Sequence, residues 1–245
     1  MAAIIRSWKR WVAAGCVHST YACKPAQDVV LGFVERYKPH RRIDLGDVFD
    51  FTAIRTNASL KDECTPLDFN GGAEWFTRFR PTDWLQGNHD ARIYELLDDP
   101  RAVVARLAGY VVEDIRQLTD KHKTRIVPYD VEDGWLKLGD LCLGHGFMYN
   151  AHALRDHVEM VGGNVCIAHL HHPHQYRGRG LGGFHGTCVG LLGDPKKLKY
   201  ARRRRNTLSW AHGFAWGEYC DSEATIHLES WKCLHGQVES PRLTL

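Results

Sequence analysis

Four histidines fall within six positions in the stretch AHLHHPHQ, residues 168–175. Neutral imidazole is the commonest metal ligand. His169 and His171, one residue apart, point to the same face of a strand or both inward from a loop. Metal chemistry then needs further donors, and four other short motifs supply them: CVH at 16–18, GDVFD at 46–50, GNHD at 87–90 and GH at 144–145. Together they offer His18, Asp47, Asn88, His145, His169 and His171. Asp47 could bridge two ions. Nitrogen and amide-oxygen donors around one carboxylate suit Mn, Fe, Zn or Ni rather than Mg or Ca alone. Two such ions about 3.5–4 Å apart would clamp a phosphoryl group for in-line displacement and lower the pKa of a bound water, which becomes the nucleophile. They would also neutralise charge building on the phosphoryl oxygens.

Such donors must be gathered by elements whose ends meet. RWVAAGCVH reads as a short buried strand ending at His18. PAQDVVLGFVERYK has helical apolar spacing at Val29, Val30, Phe33, Val34 and Tyr37, with Pro25 at the first helical position where proline is favoured. RRIDLGDVFDF and TDWLQGNHD each read as a strand running into a loop, at Gly46 and Gly87. Residues 98–123 read as helical with a break at Gly109. WLKLGDLCLGHG alternates on both sides of Gly139-Asp140 and reads as a hairpin. NVCIAHLHH is a strand delivering the histidines. Two more strands are expected at about 208–219 and 224–231. Strand and helix alternate early and strands dominate later. That order suggests an α/β layered sandwich, with two sheets packed face to face and helices outside. In open α/β sheets ligands gather at the carboxyl ends of strands, where all five polar motifs fall.

Composition sets outer bounds. The 245 residues fit a single domain over 1–245, with 44% hydrophobic and 25% charged residues as in ordinary globular proteins. No run of eighteen apolar residues suggests a membrane span. Arg6, Lys9 and Arg10 interrupt the apolar N-terminal stretch, which excludes a secretory signal core. Eight cysteines with no C-x-x-C pair, in a chain of this length, read as reduced thiols of a cytoplasmic protein. Cys142, Cys166 and Cys188 lie among apolar residues and read as small core residues. The net charge is +3, but seven cations lie in one run: Lys196, Lys197, Lys199, Arg202, Arg203, Arg204 and Arg205. That run is either a solvated face or a rim that attracts nucleic acid.

Taken in order, GDVFD, GNHD, GH and AHLH resemble the motifs of the calcineurin-like metallophosphoesterases, small bacterial and phage-type members in particular. The resemblance runs from about residue 12 to residue 171. It implies a four-layer α-β-β-α sandwich of two mixed sheets flanked by helices, with two divalent transition-metal ions between loops. It further implies that Asp47 bridges both ions, that His18 and His171 serve the first, and that Asn88, His145 and His169 serve the second. His89 would contact the phosphate and protonate the leaving oxygen, Asp90 would orient His89, and Asp50 would lie just outside the ligand shell. His172 and His174 match nothing in the family and read as rim residues.

The first motif departs from the family pattern D-x-H, with Cys16 in the place of the aspartate. Two readings stand: Cys16 binds as a thiolate and biases that site toward Zn or Fe, or it is inert and leaves the first ion weak or absent. Ligation is favoured, because His18 is retained beside it. The family hydrolyses monoesters, diesters and pyrophosphates, and fold does not choose among them. The leading expectation is a phosphodiesterase acting on nucleic acid or a nucleotide. The alternatives are a phosphomonoesterase or nucleotide pyrophosphohydrolase and, from another class, a degenerate metal-binding interaction scaffold. The glycine-rich YRGRGLGGFHG, residues 176–186, lacks the strand-to-helix context of a phosphate loop. Trp8, Trp11 and Trp231 are expected in the core rather than on an interface.

Overall fold

The structure is a computed structural model that describes residues 7–55, 58–59, 61, 65–198, 205–234 and 237–238. The elements follow the chain as β1 (Lys9–Ala14), α1 (Lys24–Tyr37), β2 (Arg41–Asp44), α2 (Thr65–Phe79), β3 (Asp83–Leu85), α3 (Asn88–Glu95), α4 (Ala102–His122) and β4 (Arg125–Val127). Next come β5 (Leu136–Leu138), β6 (Leu141–Leu143), α5 (Ala153–Val161), β7 (Asn164–Ile167), β8 (His174–Arg177) and β9 (His185–Cys188). The last strands are β10 (His212–Tyr219), β11 (His227–Trp231) and a small pair, β12 (Cys233–Leu234) and β13 (Gln237–Val238).

One sheet has the order β11-β10-β1-β2-β3-β4, the other β5-β6-β7-β9-β8. Both are mixed. Strands β1 to β4 run parallel, while β10 lies antiparallel to β1 and β11 to β10. In the second sheet β6, β7 and β9 are parallel, and β5 and β8 close its edges antiparallel. The period of two along β1 sorts its side chains. Val12 and Ala14 face Phe33 of α1, Phe76 of α2 and Ile115 of α4, whereas Trp11 and Ala13 face Leu141, Leu143 and Cys166 of the second sheet. A third cluster joins Leu154 and Val158 of α5 to Val165, Ile167 and Cys188. Helices, sheet, sheet and helix therefore form the four expected layers. Trp11 and Trp231 are buried and only Trp8 of the three is exposed.

Several local expectations need correction. Strand β1 ends at Ala14, and residues 16–18 form a loop whose amides bond to the loop after β2: Cys16 N to Gly46 O at 2.8 Å and His18 N to Asp47 O at 2.8 Å. Helix α4 passes through Gly109 without a break. Glycine costs only about 1 kcal/mol in a helix interior, which a 21-residue amphipathic helix absorbs. Residues 96–98 form a separate 3-10 turn. The two tail strands are shorter than expected: residues 205–209 form a 3-10 turn ahead of the first, and the second begins only at His227. The segment 176–186 spans the β8–β9 hairpin, which explains its glycines without a phosphate loop. Hairpin β5–β6 turns at Gly139-Asp140 as expected. Among the described residues no helix is long and apolar enough to cross a membrane.

Candidate metal centre

The loops after β1, β2, β3, β6 and β7 converge on one buried cluster. Cys16, His18, Asp47, His145 and His171 are buried, the first two completely. Five of the expected ligand residues have left-handed backbone: Cys16 (φ 52°), His18 (53°), Asp47 (54°), His169 (39°) and His171 (57°). Such conformations cost about 1–3 kcal/mol each outside glycine and persist where the surroundings over-determine them. Hydrogen bonds between the loops do so here. Gly193 N donates to Cys16 O at 2.9 Å, Ala168 N to His145 O at 3.1 Å and Ala211 N to His171 O at 3.1 Å.

Asp47 sits at the centre. Its Oδ2 lies 3.3 Å from His145 Nε2, 3.9 Å from His18 Nε2 and 4.0 Å from His89 Nε2. Its Oδ1 accepts the His89 backbone N–H at 2.9 Å. Burial pushes the Asp47 carboxyl up, but His145, His89 and His18 around it hold it well below the usual range. On one side, ligand atoms of Cys16, His18, Asp47 and His171 all lie within 4.8 Å of one another. On the other, His145 Nε2 lies 3.3 Å from Asn88 Oδ1 and 3.2 Å from His169 Nδ1. Asn88 owes its place to the first turn of α3, which begins immediately after Gly87.

The tautomers test whether these donors fit cations. His145 Nδ1–H donates to the Leu45 carbonyl at 2.6 Å, so in the neutral ring Nε2 carries the lone pair; burial lowers the proton affinity of this ring but Asp47 raises it above the usual value, and a cation would take that proton's place. That lone pair faces a carboxylate, an amide oxygen and another imidazole nitrogen, a set of electron-pair donors that a cation satisfies. Likewise His18 Nδ1–H donates to Asp50 Oδ1 at 3.0 Å, so His18 Nε2 turns its lone pair toward His171 Nε2, 3.0 Å away. His171 Nδ1 is buried with no hydrogen-bond partner. Burial first, then neighbouring imidazoles, lowers His169 to about 3 and His171 well below its usual value, so both stay in the neutral, ligating form. The donor sets fit two ions: Cys16, His18, Asp47 and His171 on one side, and Asp47, Asn88, His145 and His169 on the other. Burial and the neighbouring Asp47 push the Cys16 thiol up in the absence of a cation.

One role differs from expectation. Asp90 does not touch the His89 ring. Its carboxylate accepts three backbone amides, from Asp47 at 2.7 Å, Phe49 at 2.8 Å and Gly87 at 2.9 Å, and so caps α3 and clamps the Asp47 loop. The physical reason is position: as the third residue of α3, Asp90 folds back onto the helix start. Asp50 takes the other role. Its Oδ1 accepts His89 Nδ1–H at 2.7 Å, while Oδ2 accepts from Thr52 Oγ1 at 2.5 Å and from Arg55. Asp50, His18 and His89 are close enough to suggest a third cation group. Their short contacts are hydrogen bonds from both rings to one carboxylate. Burial raises the Asp50 carboxyl, but bonds to His18 and His89 hold it far below the ordinary range. Arg92 Nη1 donates to the Asp50 carbonyl at 2.9 Å and lies 3.0 Å from His89 Nδ1; the shorter contact to the Asp50 carboxylate places the Nδ1 proton on the Asp50 side and leaves the guanidinium a neighbouring positive charge.

A cavity of about 590 Å³ opens over this cluster and is lined by Asp47, Asn88, His89, His169, His171 and Trp210, among others. His172 and His174 stack at 4.6 Å on its rim, as expected. Sequence reasoning missed Trp210, whose ring packs edge-on against His171 at 4.4 Å. It also missed the Leu45 carbonyl, which no side-chain motif reveals. Cys166 and Cys188 are buried in the core and Cys142 is half-buried. Of the basic run, Lys196 and Lys197 are exposed, Lys199 and Arg202 to Arg204 lie outside the described residues, and the Arg205 side chain is not described.

No family model matches the chain, and no curated protein matches it. Among solved structures it is similar to Vps29 of Chaetomium thermophilum, with 9% identity over 91% of this chain and 95% of that one, and a TM-score of 0.43. It is also similar to a phosphatase of Mycoplasma pneumoniae, with 10% identity, 97% and 96% coverage and a TM-score of 0.46. A third similar structure is the phosphoesterase Yfce of E. coli, with 14% identity, 85% and 87% coverage and a TM-score of 0.36.

Proposed function

We propose that the protein is a metal-dependent phosphoesterase of the calcineurin-like kind, with two divalent ions and a preference for phosphodiesters. The observation that carries the reading is the pair of lone-pair donor sets sharing Asp47, with His89 held beside them at the cavity wall. Ions at these sites supply positive charge that acidifies water and stabilises the phosphoryl oxygens during displacement.

The chain's own residues do the rest. Asp50 takes the Nδ1–H of His89 and leaves Nε2 facing the cavity. Burial lowers the His89 pKa, and the Asp47 and Asp50 carboxylates oppose that shift. A bound phosphoester brings further negative charge, which favours the imidazolium. The Nε2 proton then passes to the leaving oxygen as its bond to phosphorus breaks. Such a positioned proton donor speaks against a scaffold that merely binds metal.

Diester preference is supported by space. The cavity shares Ala151, Leu154 and His174 with a neighbouring groove of about 420 Å³, lined by Arg155, Tyr176 and Arg179. That groove gives the far side of a diester somewhere to lie. Arg155 is committed to Asp156 and Glu159, while Arg179 is exposed. An oligonucleotide or nucleotide substrate fits this arrangement, and the run from Lys196 to Arg205 would add to its attraction. A phosphomonoesterase or nucleotide pyrophosphohydrolase is the second reading.

The test is hydrolysis of bis-p-nitrophenyl phosphate and of the monoester by metal-stripped protein given Mn, Zn, Fe(II), Ni or Mg in turn. Metal-dependent turnover that favours the diester is expected. Turnover favouring the monoester selects the second reading, and folded protein inactive with every ion overturns both.

A further inference from the structure

We propose that Cys16 binds the ion on its side of Asp47 as a thiolate, which makes the two sites chemically unequal and reserves one of them for Zn(II) or Fe(II). The inference rests on the dinuclear reading and deepens it. Three observations carry it. The Cys16 sulfur lies within 4.8 Å of a ring nitrogen of His18, a ring nitrogen of His171 and an Asp47 oxygen. His18 and His171 approach each other through their Nε2 atoms at 3.0 Å, and His171 Nδ1 is buried without a hydrogen-bond partner, so two imidazoles converge beside the sulfur. The His169 backbone N–H is directed at the Cys16 sulfur, where it would hold a charged sulfur in place.

The chemistry of the donor sets then divides the sites. One sulfur, two imidazoles and a shared carboxylate make a closed N/S/O set of the kind zinc takes. Thiolate selects soft or borderline ions, whereas Asp47, Asn88, His145 and His169 offer only oxygen and nitrogen, which Mn also accepts. On loading, the Cys16 S–H bond breaks, a sulfur–metal bond forms, and the proton leaves to water. No electron changes hands.

Cobalt(II) titration of the metal-stripped full chain tests this. Its visible ligand-field bands report occupancy, and near-ultraviolet sulfur-to-cobalt charge transfer reports the thiolate. The wild-type protein is expected to show both. Cys16→Ser and Cys16→Asp should keep the ligand-field bands and lose the charge transfer, even though the other cysteines remain. In equilibrium competition without substrate, Cys16→Asp should narrow the preference for Zn over Mn at that site by at least about tenfold. Ligand-field bands without charge transfer in the wild type, or charge transfer that survives in both variants, overturn the thiolate and leave the dinuclear reading intact. Absence of both signals in the folded wild type overturns the dinuclear reading, and the thiolate with it. Cys16→Asp restores a carboxylate donor and covers the case in which the serine variant does not fold.

Discussion

Asp50 accepts the Nδ1–H of His89 at 2.7 Å, and with the same oxygen it accepts the Nδ1–H of His18 at 3.0 Å. One buried carboxylate thus sets the tautomer of the proposed proton donor and of a proposed metal ligand. Asp50→Asn keeps the shape and removes the charge. Turnover should fall by about 10–100-fold, the usual cost of losing the partner of a ligating or catalytic histidine. The pH profile separates this from simple misfolding. The Asp50 carboxylate raises the proton affinity of His89. Without it the imidazolium is lost at lower pH, so the alkaline limb of kcat should move to lower pH. An unshifted limb removes Asp50 from this role.

His89 should matter in proportion to how badly the leaving group needs a proton. With an alkyl diester, His89→Ala should cost about 10²–10⁴-fold in kcat, the range for general acid catalysis. A p-nitrophenyl group leaves as a stable anion and should show a much smaller loss. Parallel rate measurements on the two substrates decide the point. Equal losses on both would mean that His89 binds substrate or orders the loop without donating a proton.

Asp90 should behave differently from its neighbour. Its carboxylate takes three backbone amides from the loops that carry Asp47 and Asn88. Asp90→Asn puts an amide donor against one of those N–H groups. The expected cost is about 1–3 kcal/mol of stability for the unsatisfied buried donor, read as a lower denaturant midpoint. The pH profile of the metal-loaded variant should keep the shape of the wild type. A shifted alkaline limb in this variant would return the orienting role to Asp90.

The exchange of roles between Asp50 and Asp90 shows where the sequence was legible and where it was not. The donors could be read because their types are chemically narrow and each follows an apolar strand. Asp47, Asn88, His145, His169 and His171 meet in space for that reason. The layering was readable because β1 alternates faces and α1 keeps helical spacing. Which carboxylate reaches the His89 ring depends on the backbone after Gly87. Asn88 starts a helix there, and Asp90 in its first turn folds back onto its own amides. The i, i+3 spacing of Asp47 and Asp50 was the available clue. The hairpin β8–β9 was missed because histidine and glycine obscure its alternation. Strands ending at Ala14 rather than His18 reflect the left-handed backbone at Cys16 and His18, which side-chain types alone do not announce.

Two glycines let steric effects on the site be told apart from effects on the core. At Gly87 an added Cβ would overlap Asp47 Oδ1 and lie 2.5 Å from the Asp47 nitrogen and 2.7 Å from His145 Cε1. Gly87 has φ −97°, so an alanine there adds no backbone strain and acts through contact alone. Its neighbours are the carboxylate proposed to be shared and a proposed ligand of the second ion. Gly87→Ala should therefore weaken metal binding by about tenfold or more, a loss comparable with disturbing a ligand's support. At Gly72 the added Cβ would meet the ring of Phe49, with Cζ 3.0 Å away. That ring belongs to the core between the helices and the first sheet. Gly72→Ala should cost about 1–3 kcal/mol of stability through overpacking and leave metal affinity near that of the wild type. Metal titration and denaturant unfolding of both variants check the contrast. If Gly87→Ala lowers stability but binds metal as the wild type does, Asp47 and His145 do not hold the ions in the arrangement described.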